Sequence, residues 1–480
     1  MEQDRERKLL SRRKFLVMLG TTSAGALALI ACGQPQTGGT GVEAPPVEGE
    51  PTAAPDAPAM PTEAPTPTPL VLGTGSQRVV IWHGLAGADG ATFVQMLGDY
   101  AAANPDLTLS SELFSDWNVF YQKLPTATAA GTPPDVGIMH SWGIRQFADQ
   151  GIIQPADTIF FQPGLIPKDD FNPSLISEIT VDDLTQAVPF DNHGWLNWVN
   201  VKVIEDAGLD PNNLPKNGDE FLEWARKIVV DDAGKHPDED GFNPDRVQIW
   251  ATHTSWQRFT MVSTLWQFGG GVFTDDGTTS LLNTPESIAS VQWWVDAIFK
   301  HHVVPPAVPG VAAPPDLFKS NSIALMWDGT WSLNFFKDNP DALEVMRPMY
   351  INSVAPDGNQ AVRFDSHMLV VPAGVADANL EAAKNIILYL SDNGETWATS
   401  GQVPARISVQ QKQSVQDIPS VAVAGAQFAE IGRAGQSHKY INEIVTAYEA
   451  AFSAALSGTT PPDQAMNEAH TAVQAILDRG

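Results

Sequence analysis

Arg78-Val79-Val80-Ile81-Trp82 is a short apolar run followed by a loop from Gly84 to Gly90. It is too brief for a helix and rich in β-branched residues, so it reads as a buried first strand. Thr92 to Ala103 then carries the helical period, with Phe93, Met96, Leu97 and Tyr100 on one face. Asn104-Pro105-Asp106 stops that helix, and Leu107-Thr108-Leu109 reads as the second strand. A helix from Asn118 to Ala129 ends at Gly131-Thr132-Pro133-Pro134, and Asp135-Val136-Gly137-Ile138-Met139 is the third strand. Strand and helix alternating in this order predict an α/β fold with a parallel sheet and right-handed crossovers.

Working outward, the spacing predicts helices at 217–229, 255–268, 285–301, 378–392, 440–456 and 463–478. Strand-like runs occupy 246–250, 322–327 and 366–371. No repeat of fixed period is present, which excludes solenoids and propellers. Upstream, residues 33–75 are dense in Pro, Thr, Ala and Gly, with almost nothing apolar to bury. Residues 32–76 are therefore expected to form a disordered tether, and the folded body to begin at 77.

Residues 1–31 read as an export signal: basic residues lead into an apolar stretch shorter than a membrane-spanning helix requires. Ser11-Arg12-Arg13-Lys14-Phe15-Leu16 resembles the twin-arginine motif, with Val17 where Lys is usual, and Arg12 and Arg13 are its signature. Leu29-Ile30-Ala31-Cys32 resembles a bacterial lipobox, which implies cleavage before Cys32 and attachment of lipid to its thiol. The expected location is outside the cytoplasm, anchored to the outer face of the cell membrane.

Cys32 is the single cysteine of 480 residues, which excludes an internal disulfide framework, Cys-rich zinc sites and iron–sulfur ligation. With 28 Lys and Arg against 56 Asp and Glu, the chain lacks the basic clusters that nucleic acid demands. The ten histidines contain no His-Glu-x-x-His and no Gly-x-Ser-x-Gly elbow occurs, so neither a metal nor a catalytic nucleophile is expected. Gly84, Gly87 and Gly90 depart from the dinucleotide spacing, and no cofactor is expected. Asp191 and Asp365 could serve as a glycosidase pair only if the fold set them across a sugar.

Tryptophan is the compositional anomaly, at 14 residues against 6 Tyr. Trp224 and Trp294 fall on amphipathic helices and read as core. Trp82, Trp117, Trp142, Trp195, Trp256, Trp327 and Trp331 occupy expected loops or element ends. An indole face suits the C–H face of a pyranose, while neighbouring polar residues bond its hydroxyls. Trp82-His83, Trp195 beside Asp191-Asn192-His193, and Trp331 after Asp328-Gly329 combine the two chemistries.

These residues sit within a longer resemblance. Tyr121-Gln122-Lys123-Leu124 through Pro133-Pro134-Asp135-Val136, Val188-Pro189-Phe190-Asp191 and Trp198-Val199-Asn200 follow Trp82-His83-Gly84. Further on come Gly269-Gly270-Gly271-Val272-Phe273 with Asn283-Thr284-Pro285-Glu286, then Phe318-Lys319 through Ala324-Leu325-Met326-Trp327 and Gly329-Thr330-Trp331. Gly401-Gln402-Val403-Pro404-Ala405-Arg406 closes the series. In this order the blocks resemble the sugar-binding, maltose-binding-protein-like solute-binding proteins of ATP-binding-cassette (ABC) importers; Ser320 or Asn321 stands where that family often has Gly.

The resemblance implies a two-lobed, periplasmic-binding-protein-like type II α/β fold with the ligand cleft between the lobes. It places lobe one at 77–189 and 367–412 and lobe two at 192–363 and 413–480. It implies a monomeric, non-catalytic carrier that hands a carbohydrate to ABC permease and ATPase subunits. A surface-anchored carbohydrate-active enzyme and a solute sensor are the alternatives. The expected ligand contacts are Trp82, His83, Trp117, Trp142, Asp191, His193, Trp195, Trp256, Trp331, Asp365, His367 and Arg406.

Overall fold

The first strand lies upstream of the expected start of the body. A computed structural model describes residues 68–86, 88–255, 257–306 and 312–480. Arg12, Arg13, Cys32, the export signal and the tether as far as residue 67 lie outside the described residues, as does Trp256. Within them, β1 (Leu70–Gly73), β2 (Gln77–His83), β3 (Leu107–Leu113) and β4 (Val136–His140) open one sheet. The expected boundary at 76/77 is thus corrected. Leu70, Val71 and Leu72 extend the Pro-rich segment into an antiparallel pairing with β3, from Leu70 opposite Ser111 to Gly73 opposite Thr108.

β2 pairs in parallel with both β3 and β4, as the alternation predicts. The crossovers are α1 (Ala88–Ala103) and α2 (Trp117–Ala129). Asp116 caps α2, its Oδ1 accepting from Asn118 N at 2.9 Å. Val79, Ile81, Leu109 and Ile138 are fully buried with Phe93, Met96 and Leu97 of α1. Each such side chain contributes about 1.5–3 kcal/mol of burial free energy.

The chain then changes sheet. β5 (Val188–Pro189) belongs to the first sheet, whereas β6 (Asp191–Asn200) runs through the second with all ten residues buried. One edge of β6 receives β7 (Leu325–Gly329); β8 (Met346–Met349) and β9 (Val362–Asp365) pair along its length in turn. Between β9 and β10 (His367–Val370) the chain returns, because β10 lies between β4 and β5 in the first sheet. Later, β11 (Val403–Pro404) joins the start of β6, and β12 (Gly432–Ala434) runs parallel to β9.

Helices Gly218–Ile228, Gln257–Gln267, Pro285–Phe299, Asp377–Asp392, Ile441–Leu456 and Pro462–Leu477 fall within a few residues of the expected spans. Trp224 and Trp294 are buried in the core, as their helical spacing indicates. Trp294 Nε1 donates to Thr264 Oγ1 at 3.2 Å, which offsets the cost of burying the indole N–H.

Candidate functional site

The crossings between sheets converge on Asp191. This fully buried carboxylate accepts from His193 Nδ1 at 2.9 Å, His367 Nδ1 at 2.7 Å, the His367 backbone N at 3.1 Å and Trp397 Nε1 at 2.9 Å. Ser366 Oγ donates to the Asp191 carbonyl. Burial alone would raise the carboxyl, but His367 and His193 override it and hold Asp191 far below the usual carboxylate range. Reciprocally, burial opposes charge on His367 while Asp191 outweighs it, and the imidazole is pushed up.

Beside this anchor opens a cavity of about 690 Å³. Its first wall is the carboxyl-end edge of the first sheet: Gly84 to Ala86 after β2, Trp117 after β3 and His140 ending β4. His367, at the start of antiparallel β10, stands at the same edge. Its second wall comes from the other sheet, with His193 of β6, Asp328 of β7, then Trp331 and Phe335. Ligands collect at this edge of α/β sheets because the loops leave the strands there, and the volume falls in the ~300–1,000 Å³ range of small-molecule sites.

Both cavity indoles lie against glycine. A Cβ on Gly84 would sit 2.4 Å from the Trp117 ring, and one on Gly329 would sit 2.3 Å from Trp331. Any side chain at either position would drive the ring into the cavity. The glycine loop after β2 therefore makes room for an aromatic wall. Trp117 is also packed 4.4 Å from His140 and stacked 5.8 Å from His367, and Trp331 lies 5.6 Å from Trp195.

Two carboxyls in the polar lining are raised by burial. Burial pushes the Asp328 carboxyl up to about 6, against a single lowering contribution from each of Gly329 N and Ser332. Burial also raises Asp89, with His367 pulling the other way. His140 is held well below the ordinary imidazole value by burial and by neighbouring His367 and His193, so it is neutral.

Of the residues expected from sequence, Trp117, His193, Trp331 and His367 line this cavity. The others among the described residues are engaged elsewhere. Trp82 packs on Phe114 at 4.9 Å. His83 is buried against Phe93 and bonded to Ser111 Oγ at 2.9 Å, its pKa lowered to about 4 by burial. Trp142 lies under the Arg258 guanidinium at 5.2 Å. Trp195 is fully buried, donating to Thr260 Oγ1 at 2.8 Å and stacked on Phe259. Asp365 holds Arg363 through two 3.1 Å bonds, and Arg406 pairs with Asp170 and Asp392. Asp191 and Asp365, considered above as a glycosidase pair, are both committed to buried partners and neither lines the cavity.

Sequence reasoning passed over Asp89, His140, Phe259, Phe335 and Gln402, all of which line the cavity. His140 was the most accessible of these, since it directly ends the third strand at the edge where ligands gather.

A family model described as bacterial extracellular solute-binding protein matches residues 86–393. The chain belongs to that family. The maltotriose-binding protein of Pyrococcus abyssi is 25% identical to this solute-binding protein over 266 residues, which is 55% of this chain and 52% of that protein. The chain thus spans about half the length of the curated relatives it matches.

Among solved structures, the cyclic α-maltosyl-1,6-maltose binding protein of Arthrobacter globiformis matches with a TM-score of 0.68 at 24% identity, covering 85% of this chain and all of that one. An ABC-transporter solute-binding protein of Thermotoga lettingae bound with α-D-tagatose matches with a TM-score of 0.72 at 22% identity, covering 84% and 100%. The solute-binding protein shares their two-lobed α/β fold. Among its described residues no helix is long and apolar enough to cross a membrane.

Proposed function

We propose that this solute-binding protein captures a carbohydrate in the Trp117–Trp331 cavity and delivers it to an ABC import permease. The observation that carries the reading is the pairing of two indole walls with two carboxyls that burial raises, in one cavity of sugar size. Indole faces take the apolar side of a pyranose, and Asp89 and Asp328 accept from its hydroxyls. Sugar hydroxyls add to the donors that Gly329 N and Ser332 already give Asp328. The carbohydrates named for the Pyrococcus, Arthrobacter and Thermotoga proteins favour the same class.

In this reading lobe one is 77–189 with 367–412, extended upstream to Leu70, and lobe two is 192–363 with 413–480. Closure about the Asp191 and Ser366 crossings is favoured only as far as the ligand binds the closed state more tightly. The protein works as a monomer, exported through Arg12 and Arg13 and held to the outer membrane face by lipid on Cys32.

Intrinsic Trp fluorescence and calorimetric titration against mono- and oligosaccharides test the proposal. The expected result is saturable binding of at least one carbohydrate with a raised melting temperature. Response to a peptide but to no sugar or polyol would overturn it.

A further inference from the structure

Three histidines from both sheets meet at the floor of the cavity, and their arrangement is that of a metal site. One ring nitrogen each from His140, His193 and His367 lies within 4.8 Å of the others. We propose that these imidazoles bind one divalent transition metal, of the Zn²⁺ or Co²⁺ class, through their Nε2 atoms, with an open position facing the cavity.

The hydrogen bonds behind the rings select the nitrogen. Nδ1 of His193 and of His367 each contact one oxygen of Asp191, at 2.9 and 2.7 Å. An ionised carboxylate only accepts, so both Nδ1 atoms carry protons and Nε2 is the ligand atom. His140 Nδ1 lies 2.8 Å from Tyr121 Oη, which also accepts from the His140 backbone N at 2.9 Å. The phenol oxygen has the lone pairs to accept both protons, and a metal on Nε2 of His140 would select that tautomer over the one in which the phenol donates to Nδ1. Carboxylates and similar acceptors behind metal-binding histidines fix the tautomer and the ring orientation in this way. No Nε2 of the three has a hydrogen-bond partner among the described residues.

The surroundings suit a cation. Asp191 lies directly behind two of the ligands, and Asp89 lines the same cavity within electrostatic reach of His367. The one nearby guanidinium acting on His140, Arg258, is paired with Glu449 at 3.0 Å. Three nitrogens suit borderline metals, whereas Mg²⁺ and Ca²⁺ demand oxygen ligands. Metal–nitrogen bonds of about 2.0–2.1 Å place tetrahedral ligands roughly 3.3 Å apart, so binding draws the rings together by small side-chain rotations. Because His193 belongs to β6 and the others to β4 and β10, the ion would tie the two sheets at their crossing. The open position takes water or an oxygen of a held solute, and the metal site stands independently of which solute that is.

The test uses the full chain, stripped with chelator and titrated with Co²⁺ near neutral pH. The expected result is one Co²⁺ per chain with the visible absorption of a low-coordinate site, displaced by Zn²⁺. His193→Gln and His367→Gln should each weaken binding by about 100-fold or more, beyond the 10–100-fold typical of losing a supporting group. His140→Gln, which leaves the Asp191 joint intact, serves if the other two variants fail to fold by circular dichroism. A His301→Ala, His302→Ala double variant controls for the surface histidine pair and should retain the full signal. Absence of stoichiometric Co²⁺ binding, its persistence in folded His140→Gln, or its loss in the surface variant would overturn the assignment.

Discussion

Asp191 and Asp328 are both buried carboxyls near the same cavity, and they are opposites. Asp191 accepts four hydrogen bonds and faces two histidines, and it is held as an anion far below its ordinary range. Asp328 has only the Gly329 N–H at 2.7 Å and the Ser332 side chain to lower it, and burial lifts it to about 6. The first is a finished structural joint where the chain passes between sheets. The second faces the cavity with two local donors and no histidine beside it. A carboxyl that burial raises, set in a cavity, marks a candidate site.

The comparison breaks most sharply at the joint. Asp191→Ala would leave two imidazoles and the Trp397 N–H without their acceptor and should cost ~3–5 kcal/mol. Urea denaturation whose midpoint shift, multiplied by the m-value, gives that loss checks it, and an unchanged midpoint contradicts the contrast.

Asp328→Asn should act in the other direction. Its folded pKa of about 6 exceeds the ordinary 3.8 of an aspartate, so the stabilising neutral form is fully present below about pH 4 and lost as pH rises through 6. Removing the charge should therefore stabilise the protein by ~3 kcal/mol above pH 6 and by nothing at pH 4. Denaturation of both forms across that window measures the difference. The same variant should bind carbohydrate more weakly.

The indoles sharpen the contrast at smaller magnitude. Trp331→Ala and Trp117→Ala should each lose ~1.5 kcal/mol of affinity, about tenfold, because a stacking face is removed. Trp195→Phe should leave affinity within about twofold while lowering stability, since that indole serves Thr260 and Phe259 inside the core. Titration of the three variants separates the groups. Between these, Gly84→Ala should weaken binding by about threefold, through displacement of the Trp117 ring rather than loss of fold.

The sequence was most legible where one physical signal dominated. The β2–α1–β3–α2–β4 order follows from apolar periodicity and from Asn104-Pro105 and Pro133-Pro134 as stops. β6 was missed for a specific reason. Asp191-Asn192-His193-Gly194 and Asn197 include residues that strands disfavour, and tertiary contacts of Asp191, His193 and Asn197 override that preference. Asn197 Nδ2, for example, donates to Asn352 Oδ1 at 3.2 Å from far along the chain. β1 was hidden by the Pro-rich segment before it. The site was legible by residue type rather than by position. Trp117 and Trp331 could be separated from Trp195 only once the register of β6 against β7 turned Trp195 inward. The histidine cluster had no local spacing to betray it, because three distant strands assemble it.

The central claim is that the seam between the sheets holds a carbohydrate between two indoles. A crystal structure with a bound malto-oligosaccharide tests it directly. The account predicts a pyranose ring against Trp117 or Trp331 with hydroxyls on Asp89 and Asp328; a saccharide seated elsewhere, with that cavity left to solvent, would contradict it.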